Sequence, residues 1–567
     1  MSIKPEYFTL SQLLNNRLFK IPNYQRAYSW MRKQRQDLFW DIDKLYSCGD
    51  NTRHHFMATI VCLDTNSKEE VGTDELANLD VVDGQQRLTT LIILLKALCN
   101  ALDQGDEVDK KEASELQKLL VKDDQRLILL QTNHDSSGMF RNYLVHGQVP
   151  NSNDIHTLAE KNLLSAMTDC ERYVGNWSKE SKLIELLKLL KNRLDFIFYV
   201  LQDEGAVYTV FEVLNSRGLS VDWLDKCKSI LMGIVYEKAK AAAKDLAGEI
   251  HKDWTQIYHV IGLRNVPGDD IVKYAATLWN TDERRKVLSA EDAVEFFREQ
   301  CSNDHTKVID VSSRLLKVTR KLADLYDNRR IEAVTEISHA RLLAVSIMVA
   351  DHWSEEERRR VLEQWERVTF RIFGLFGKDA RSCVGEYTSL AHRILAQSLS
   401  KQATLLEIRK IGTYFPIDGA IAEFKSWPSH YNGWTHELRY FFYRYEEYLA
   451  SKANSRINDA VWQVIWDNSP DHSIEHVLPQ EYSRNWMQFP NAEASVDHLG
   501  NLGILTPQDN SRAGHKNFQA KSGIYQESNL RLMKEIAAND NWNAETIQER
   551  GEKLLLWAKA QWDDLRD

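Results

Sequence analysis

The sequence predicts a mainly α protein with small β elements, an α+β class. Three observations carry that prediction. Only 10 Pro occur in 567 residues, which leaves room for long uninterrupted helices. Leu183, Leu186, Leu187, Leu190 and Leu194 recur at i, i+3, i+4 and i+7 spacing, one apolar face of a helix. Residues 228–425 read as Ala- and Leu-rich amphipathic helix almost throughout, whereas β-rich runs are short and lie mostly near the N-terminus.

Element by element, Ser11 to Leu18 suits a short helix, and Lys20 to Trp30 an extended segment around Pro22. Phe56 to Leu63 and Leu79 to Val82 are β-rich runs, and the polar stretch Thr65 to Asn78 between them reads as a hairpin loop. Gly84 breaks the second run, and Leu88 to Leu98 continues as a helix. Glu112 to Lys191 is helical in pattern. Phe196 to Leu201 is apolar without helical spacing and reads as a buried strand. Val207 to Leu214 restarts a helix that Asn215-Ser216-Arg217-Gly218 ends. Pro428 to Trp434 reads as a boundary, followed by a helix from Glu437 to Ala450, a strand-and-loop region and further helices.

Composition narrows the function classes. Hydrophobic residues at 43% and charged residues at 27% describe a globular chain, neither disordered nor fibrous. Its length suits about three or four domains. The net charge of −10 excludes a uniformly basic coat for nucleic acid, though not a local basic patch. The seven cysteines form no CxxC pair, which argues against a zinc ribbon and for a reduced, cytoplasmic protein. The N-terminus lacks the apolar core of a signal peptide, and no apolar stretch reaches the roughly 18–20 residues that span a bilayer.

The most informative stretch is Ser473-Ile474-Glu475-His476-Val477-Leu478-Pro479-Gln480. It is followed by Gly500-Asn501-Leu502, Asn510, His515, Lys516, Asn517-Phe518 and Lys521. A carboxylate can hold a hard divalent cation through oxygen, and a neighbouring imidazole can activate water for attack on phosphorus. Asn510 to Lys534 adds five basic residues against one acid, a local excess suited to a phosphate partner. His472 and His498 read as structural. These residues resemble the His-Asn-His (HNH) nucleases with a ββα-metal fold, and more narrowly the C-terminal branch of GmrSD-type restriction proteins. The resemblance implies His476 as general base, Glu475 with Asn510 as ligands of Mg²⁺, Mn²⁺ or a similar ion, and Asn501 as a structural pin. It implies phosphate or DNA contacts at His515, Lys516 and Lys521.

Near the N-terminus, Ile21 to Trp30 and Val81 to Leu91 stand out. In the second, a buried strand ends at Asp83, Gly84 permits close backbone approach, and Gln85, Gln86 and Arg87 open a helix. Arg87 can bind phosphate bidentately, and Arg26 can add a second cation. From Asn15 to Gln36 there are six basic residues and no acidic one. Tyr24, Tyr28 and Trp30 read as core rather than as base-stacking residues. No Walker-type phosphate loop is present. The two segments resemble the ParB-like DGQQR domain of GmrSD-type and SspE-type defence proteins, as does Phe211 to Ser220 followed by Asp225 and Lys226. The resemblance implies a site for GTP or ATP at Asp83, Gly84, Gln85, Gln86 and Arg87, with Arg26, Asn215 and Arg217 nearby. Where many relatives carry Gly in the preceding strand, this chain has Ala58.

The resulting expectation has three parts. Residues 1–235 form a ParB-like sensor domain with a helical insertion at 103–195, residues 236–428 a helical connector, and residues 429–567 an HNH-type nuclease domain embedded in helices. The function this implies is an NTP-regulated, metal-dependent DNA endonuclease with NTPase activity. It would belong to a modification-dependent restriction or anti-phage system, acting on double-stranded modified or phage DNA. Homo-oligomers or partner defence proteins fit the same picture, and a membrane does not. The alternative is a nucleotide-controlled DNA-binding or scaffold protein with an inert nuclease-like module.

Overall fold

The computed structural model describes residues 6–22, 25, 27–49, 53–122, 127–132, 137–151, 154–202, 222–239, 242–262, 264, 266–280, 282–283, 285–481, 486 and 492–565. The fold is mainly helical with small sheets. The chain divides into two compact units, Met1–Lys273 with Ser289–Arg320, and Tyr274–Leu288 with Lys321–Asp567.

The first unit is built on a six-stranded mixed sheet. Its strands are β1 (Glu6–Thr9), β2 (Arg17–Ile21), β3 (His55–Val71), β4 (Asp74–Asp83), β5 (Leu130–Thr132) and β6 (Leu194–Leu201), in the order β1-β6-β3-β4-β2-β5. The β3–β4 and β1–β6 pairs are antiparallel, and the β3–β6, β2–β4 and β2–β5 pairs are parallel. The helices that pack on the sheet include α1 (Arg32–Ser47), α2 (Gln85–Leu102), α3 (Leu158–Lys179) and α4 (Leu183–Arg193). Phe19, Ile60, Val81 and Phe196 of the sheet join Ile42, Leu91, Met167 and Leu186 of the helices in one apolar cluster. Helix α2 is apolar nearly all round because it is buried on every side. Further helices, including Trp223–Lys238 and Ala243–Ile261, complete the unit.

Four local expectations are corrected. Thr65 to Asn78 is no loop: β3 runs on to Val71 and β4 starts at Asp74, around a turn at Gly72 (φ 65°). The hairpin arm is exposed there, and its ladder needs only backbone groups, so polar side chains are free to decorate it. The helical stretch 112–191 is interrupted by short strands, of which β5 joins the main sheet through β2. Leu194 opens β6 rather than ending α4, and Leu18 lies in β2 after a helix of only Leu10–Leu14. The expected helix at 207–214 and turn at 215–218 lie outside the described residues.

The second unit is a helical assembly carrying one two-stranded antiparallel sheet. Strand β7 (Ile474–His476) pairs with β8 (Leu502–Ile504), with His476 opposite Leu502 and Glu475 opposite Gly503. Around the sheet lie α5 (Thr435–Lys452), α6 (Pro507–Ala513), α7 (Phe518–Glu527) and α8 (Ala544–Gln561). The strands and α6 follow in ββα order. Helix α6 starts cleanly because Thr506 caps it and Pro507 occupies its first turn. Aromatic packing of Phe441, Trp557 and Trp562 fills part of this unit's core.

Candidate functional site

In the C-terminal unit, successive residues of β7 point to opposite faces. That alternation sends Glu475 and His476 into different surroundings. Glu475 is 3% exposed, and its Oε1 accepts from Lys521 Nζ at 2.7 Å and Tyr525 OH at 2.5 Å, both on α7. Lys521 is fully buried and also donates to the His476 carbonyl at 2.7 Å. Burial pushes the Glu475 carboxyl up and the Lys521 ammonium down, so desolvation outweighs mutual attraction in both partners.

This arrangement corrects one expectation and bears on another. Lys521 faces the interior, so it is a partner of Glu475 and not a contact for phosphate arriving from solvent. Glu475, implied as a metal ligand, has its Oε1 engaged by an ammonium and a phenol. Asn510 Nδ2 donates to the carbonyls of His472 (2.9 Å) and Ile474 (3.2 Å) and so braces β7 against α6. Among the described residues, no group of three or more His, Cys, Asp or Glu could hold a metal ion.

The His476 imidazole lies on the other face. Its Nε2 is 3.0 Å from Asp497 Oδ1, and the Tyr431 ring meets it edge-on with centroids 4.7 Å apart. The hydrogen bond to His476 is the largest influence holding the Asp497 carboxyl below its ordinary range. Asn501 spends all four of its valences: Oδ1 accepts from Leu478 N and Trp542 Nε1, and Nδ2 donates to the Leu478 and Val496 carbonyls. It ties the chain after His476 to the turn before β8. His498 caps that turn by accepting from Gly500 N at 3.1 Å. His515 and Lys516 are exposed, and His515 Nδ1 lies 2.9 Å from the Glu481 carbonyl.

The basic excess of Asn510–Lys534 is largely neutralised. Arg512 pairs with Asp509 and Glu527, Lys521 with Glu475, and Arg531 with Glu446. Lys516 and Lys534 are left exposed. Reading the sequence missed Asp497, Tyr431 and Tyr525, because none lies within the motif that flags His476.

In the N-terminal unit, Gly84 adopts φ 90°, a left-handed conformation. A Cβ there would also lie 2.4 Å from Ile60 Cδ1 and 3.1 Å from the Thr59 carbonyl. The turn therefore needs Gly twice over, and it opens the 18-residue helix α2. Gln86 Nε2 donates to the Ala27 carbonyl at 3.0 Å and its Oε1 accepts from Ser29 N at 2.8 Å. Gln25 donates to the Val82 carbonyl, and Tyr28 OH bonds Thr90 Oγ1. The two sequence motifs are thus zipped together side by side, with Gln86 as a strut whose amide is consumed. Tyr28 and Trp30 are buried, while Tyr24 and Arg26 lie outside the described residues, as do Asn215 and Arg217.

Near the turn remain one buried acceptor and one cation. Gln85 is buried, and its Oε1 has no hydrogen-bond partner among the described residues. Arg87 lies 5.7 Å from the Trp30 ring centroid. Burial pushes its guanidinium pKa down, against the charges of Asp83 and Asp41. Asp41, on α1, is a neighbour that sequence reasoning missed. Two of the six basic residues of Asn15–Gln36 are engaged by the protein: buried Arg35 grips Asp169 and the Trp30 carbonyl, and half-buried Arg17 binds the carbonyls of Gln12 and Leu13.

Two family models match the chain. The GmrSD restriction endonuclease N-terminal domain matches residues 10–232, and the GmrSD restriction endonucleases C-terminal domain matches residues 415–557. No curated protein matches the chain. No helix of the described residues is long and apolar enough to cross a membrane.

Proposed function

Because the chain belongs to the GmrSD type of restriction endonuclease, we propose that it cuts modified or phage DNA at His476 under nucleotide control. The observation that carries this reading is the His476 imidazole, anchored through Nε2 to a carboxylate beside the β7–β8 sheet. In the proposed step a water oxygen bonds to phosphorus while His476 takes its proton. One bridging P–O ester bond breaks, and the departing sugar oxygen takes a proton from solvent. The products are a phosphomonoester and a hydroxyl. His515 and Lys516 are the exposed groups proposed to meet the DNA backbone.

Divalent-metal dependence belongs to the proposal as an implication of the family. The test is cleavage of modified and unmodified phage DNA by the purified chain, with each nucleotide and each metal, beside His476→Ala and a chelated control. Loss of cutting in His476→Ala, and its loss on chelation, are the expected results. Unchanged cutting in His476→Ala overturns the assignment. A chain inert under every condition that still binds DNA points to the scaffold alternative.

The proposed nucleotide site is the Gly84 turn. The start of α2, where Gly84 makes no side-chain cap hydrogen bond, and the Arg87 guanidinium suit phosphate, and Gln85 Oε1 can accept from a bound donor. A bound nucleotide would supply binding energy to bias the unit's conformation. Arg87→Ala is expected to lower GTP or ATP hydrolysis about 10-fold or more, the scale of a lost charge-assisted contact. Hydrolysis at the wild-type rate in both Arg87→Ala and Asp83→Ala would remove the assignment.

A further inference from the structure

The segment Pro428 to Trp434, which reads as a boundary in the sequence, lies against the face of β7 that carries His476. Ser429 Oγ donates to Asp497 Oδ2 at 2.9 Å, and Asn432 Nδ2 reaches the same oxygen at 3.0 Å. The His430 backbone N–H donates to the Asp497 carbonyl at 2.9 Å. Ser429 has no freedom to reverse its role. Its oxygen already accepts from the backbone N–H groups of Tyr431 (3.2 Å) and Asn432 (2.9 Å), so its own proton goes to Asp497. Asp497 is therefore clamped with Oδ2 toward the turn and Oδ1 toward His476. On His476, Nδ1 has no hydrogen-bond partner among the described residues.

We propose that Asp497 is a positioning residue for the cleavage site, holding the proton of His476 on Nε2 so that Nδ1 is the basic atom, with the Ser429–Asn432 turn as its bracket. The inference rests on His476 as the base and adds which nitrogen acts and what aims it. A carboxylate at Oδ1 accepts only, so neutral His476 must place its proton on Nε2. The bracket makes the isosteric variant informative. In Asp497→Asn, Ser429 still donates, which holds the new amide oxygen toward the turn. The amide NH₂ then faces His476 Nε2, which must accept. The imidazole proton moves to Nδ1, and the base is lost. A residue that merely filled space would tolerate this substitution.

The test uses the full chain with ¹⁵N-labelled histidine, plus Asp497→Asn and Asp497→Ala. Nitrogen shifts report the tautomer, with the His476 signals identified by their loss in His476→Gln. Expected for the wild type is a proton on Nε2, for Asp497→Asn a proton on Nδ1, and for Asp497→Ala a mixture. In plasmid cleavage, kcat is expected to fall about 10–100-fold in both variants, with KM for DNA within about twofold of wild type. A wild-type proton on Nδ1 overturns the inference, as does wild-type kcat in both Asp497 variants when His476→Ala is dead. If His476→Ala cuts normally, the base assignment itself fails, and the tautomer measurement separates that outcome from failure of the Asp497 hold.

Discussion

Lys521→Ala is expected to destabilise the C-terminal unit by about 3–5 kcal/mol, the cost of breaking one side of a buried ion pair. The substitution leaves Glu475 at 3% exposure with Tyr525 as its remaining side-chain partner at Oε1. A carboxylate already pushed toward its neutral form by burial loses the cation that opposed that push. It also frees the His476 carbonyl of a donor at 2.7 Å. At roughly 2–4 °C per kcal/mol for a unit of this size, the melting transition should fall by about 10 °C. Calorimetry on the full chain reads this directly. The double variant Glu475→Gln with Lys521→Met should recover much of the loss, because two neutral groups need no mutual charge. A phosphate contact behaves otherwise, leaving the melting temperature alone, weakening DNA binding and lowering its salt slope by about 1. Lys521→Ala with an unshifted melting transition and that salt behaviour would return the residue to the DNA-facing role its sequence suggests.

The contrast shows what a charge count in sequence can and cannot hold. Asn510–Lys534 looks basic because its partners lie elsewhere. Glu475 is on β7, Glu446 on α5, and Asp509 one residue outside the window. Folding brings these acids to the bases, and burial then decides which cations remain for a ligand. The helices were legible, since Leu spacing records directly which face is buried, as for Leu183, Leu186, Leu187 and Leu190 of α4. The buried strand β6 was legible for the same reason. The solvated arm of β3 and β4 was not, because ladder hydrogen bonds leave no mark on side-chain choice.

The motif around Glu475 and His476 named the right neighbourhood for a reactive imidazole, yet two facts needed coordinates. One is strand alternation, which separates adjacent residues onto opposite faces once the stretch is known to be extended. The other is Asp497, 21 residues on, whose bracket sits in a turn whose polar and aromatic residues resemble a linker. Likewise Gln86 reads as a ligand-facing amide within its motif, and only the position of Ala27 and Ser29 reveals it as a strut.

Gly500→Ala is the second large effect expected, at about 3 kcal/mol. The reason is proximity to backbone. A Cβ on Gly500 would lie 1.8 Å from the Ile547 carbonyl oxygen and 2.8 Å from Gly551 N, both on α8. Backbone cannot swing aside as a side chain can, so either α8 or the turn must move. That movement breaks a clamp. Arg550 is buried and donates to the carbonyls of Gly500 (2.8 Å) and Leu502 (2.7 Å), and burial has already pushed its pKa down to about 10. Pulled from those acceptors, it becomes a poorly solvated cation with few partners. Gly551→Ala is the milder comparison, because the three nearest atoms to its Cβ all belong to the His498 ring, at 2.5 Å from Cε1, and that side chain can shift at the cost of its cap on Gly500 N, whereas backbone cannot. Thermal melting should rank Gly500→Ala well below Gly551→Ala, and equal melting temperatures would refute the proximity argument. The consequence reaches the site through Asn501. Its carbonyl accepts from Val477 N at 3.0 Å and its side chain from Leu478 N at 2.8 Å. A turn displaced at Gly500 therefore drags the chain that follows His476, so Gly500→Ala should lose cleavage even at temperatures where the unit stays folded.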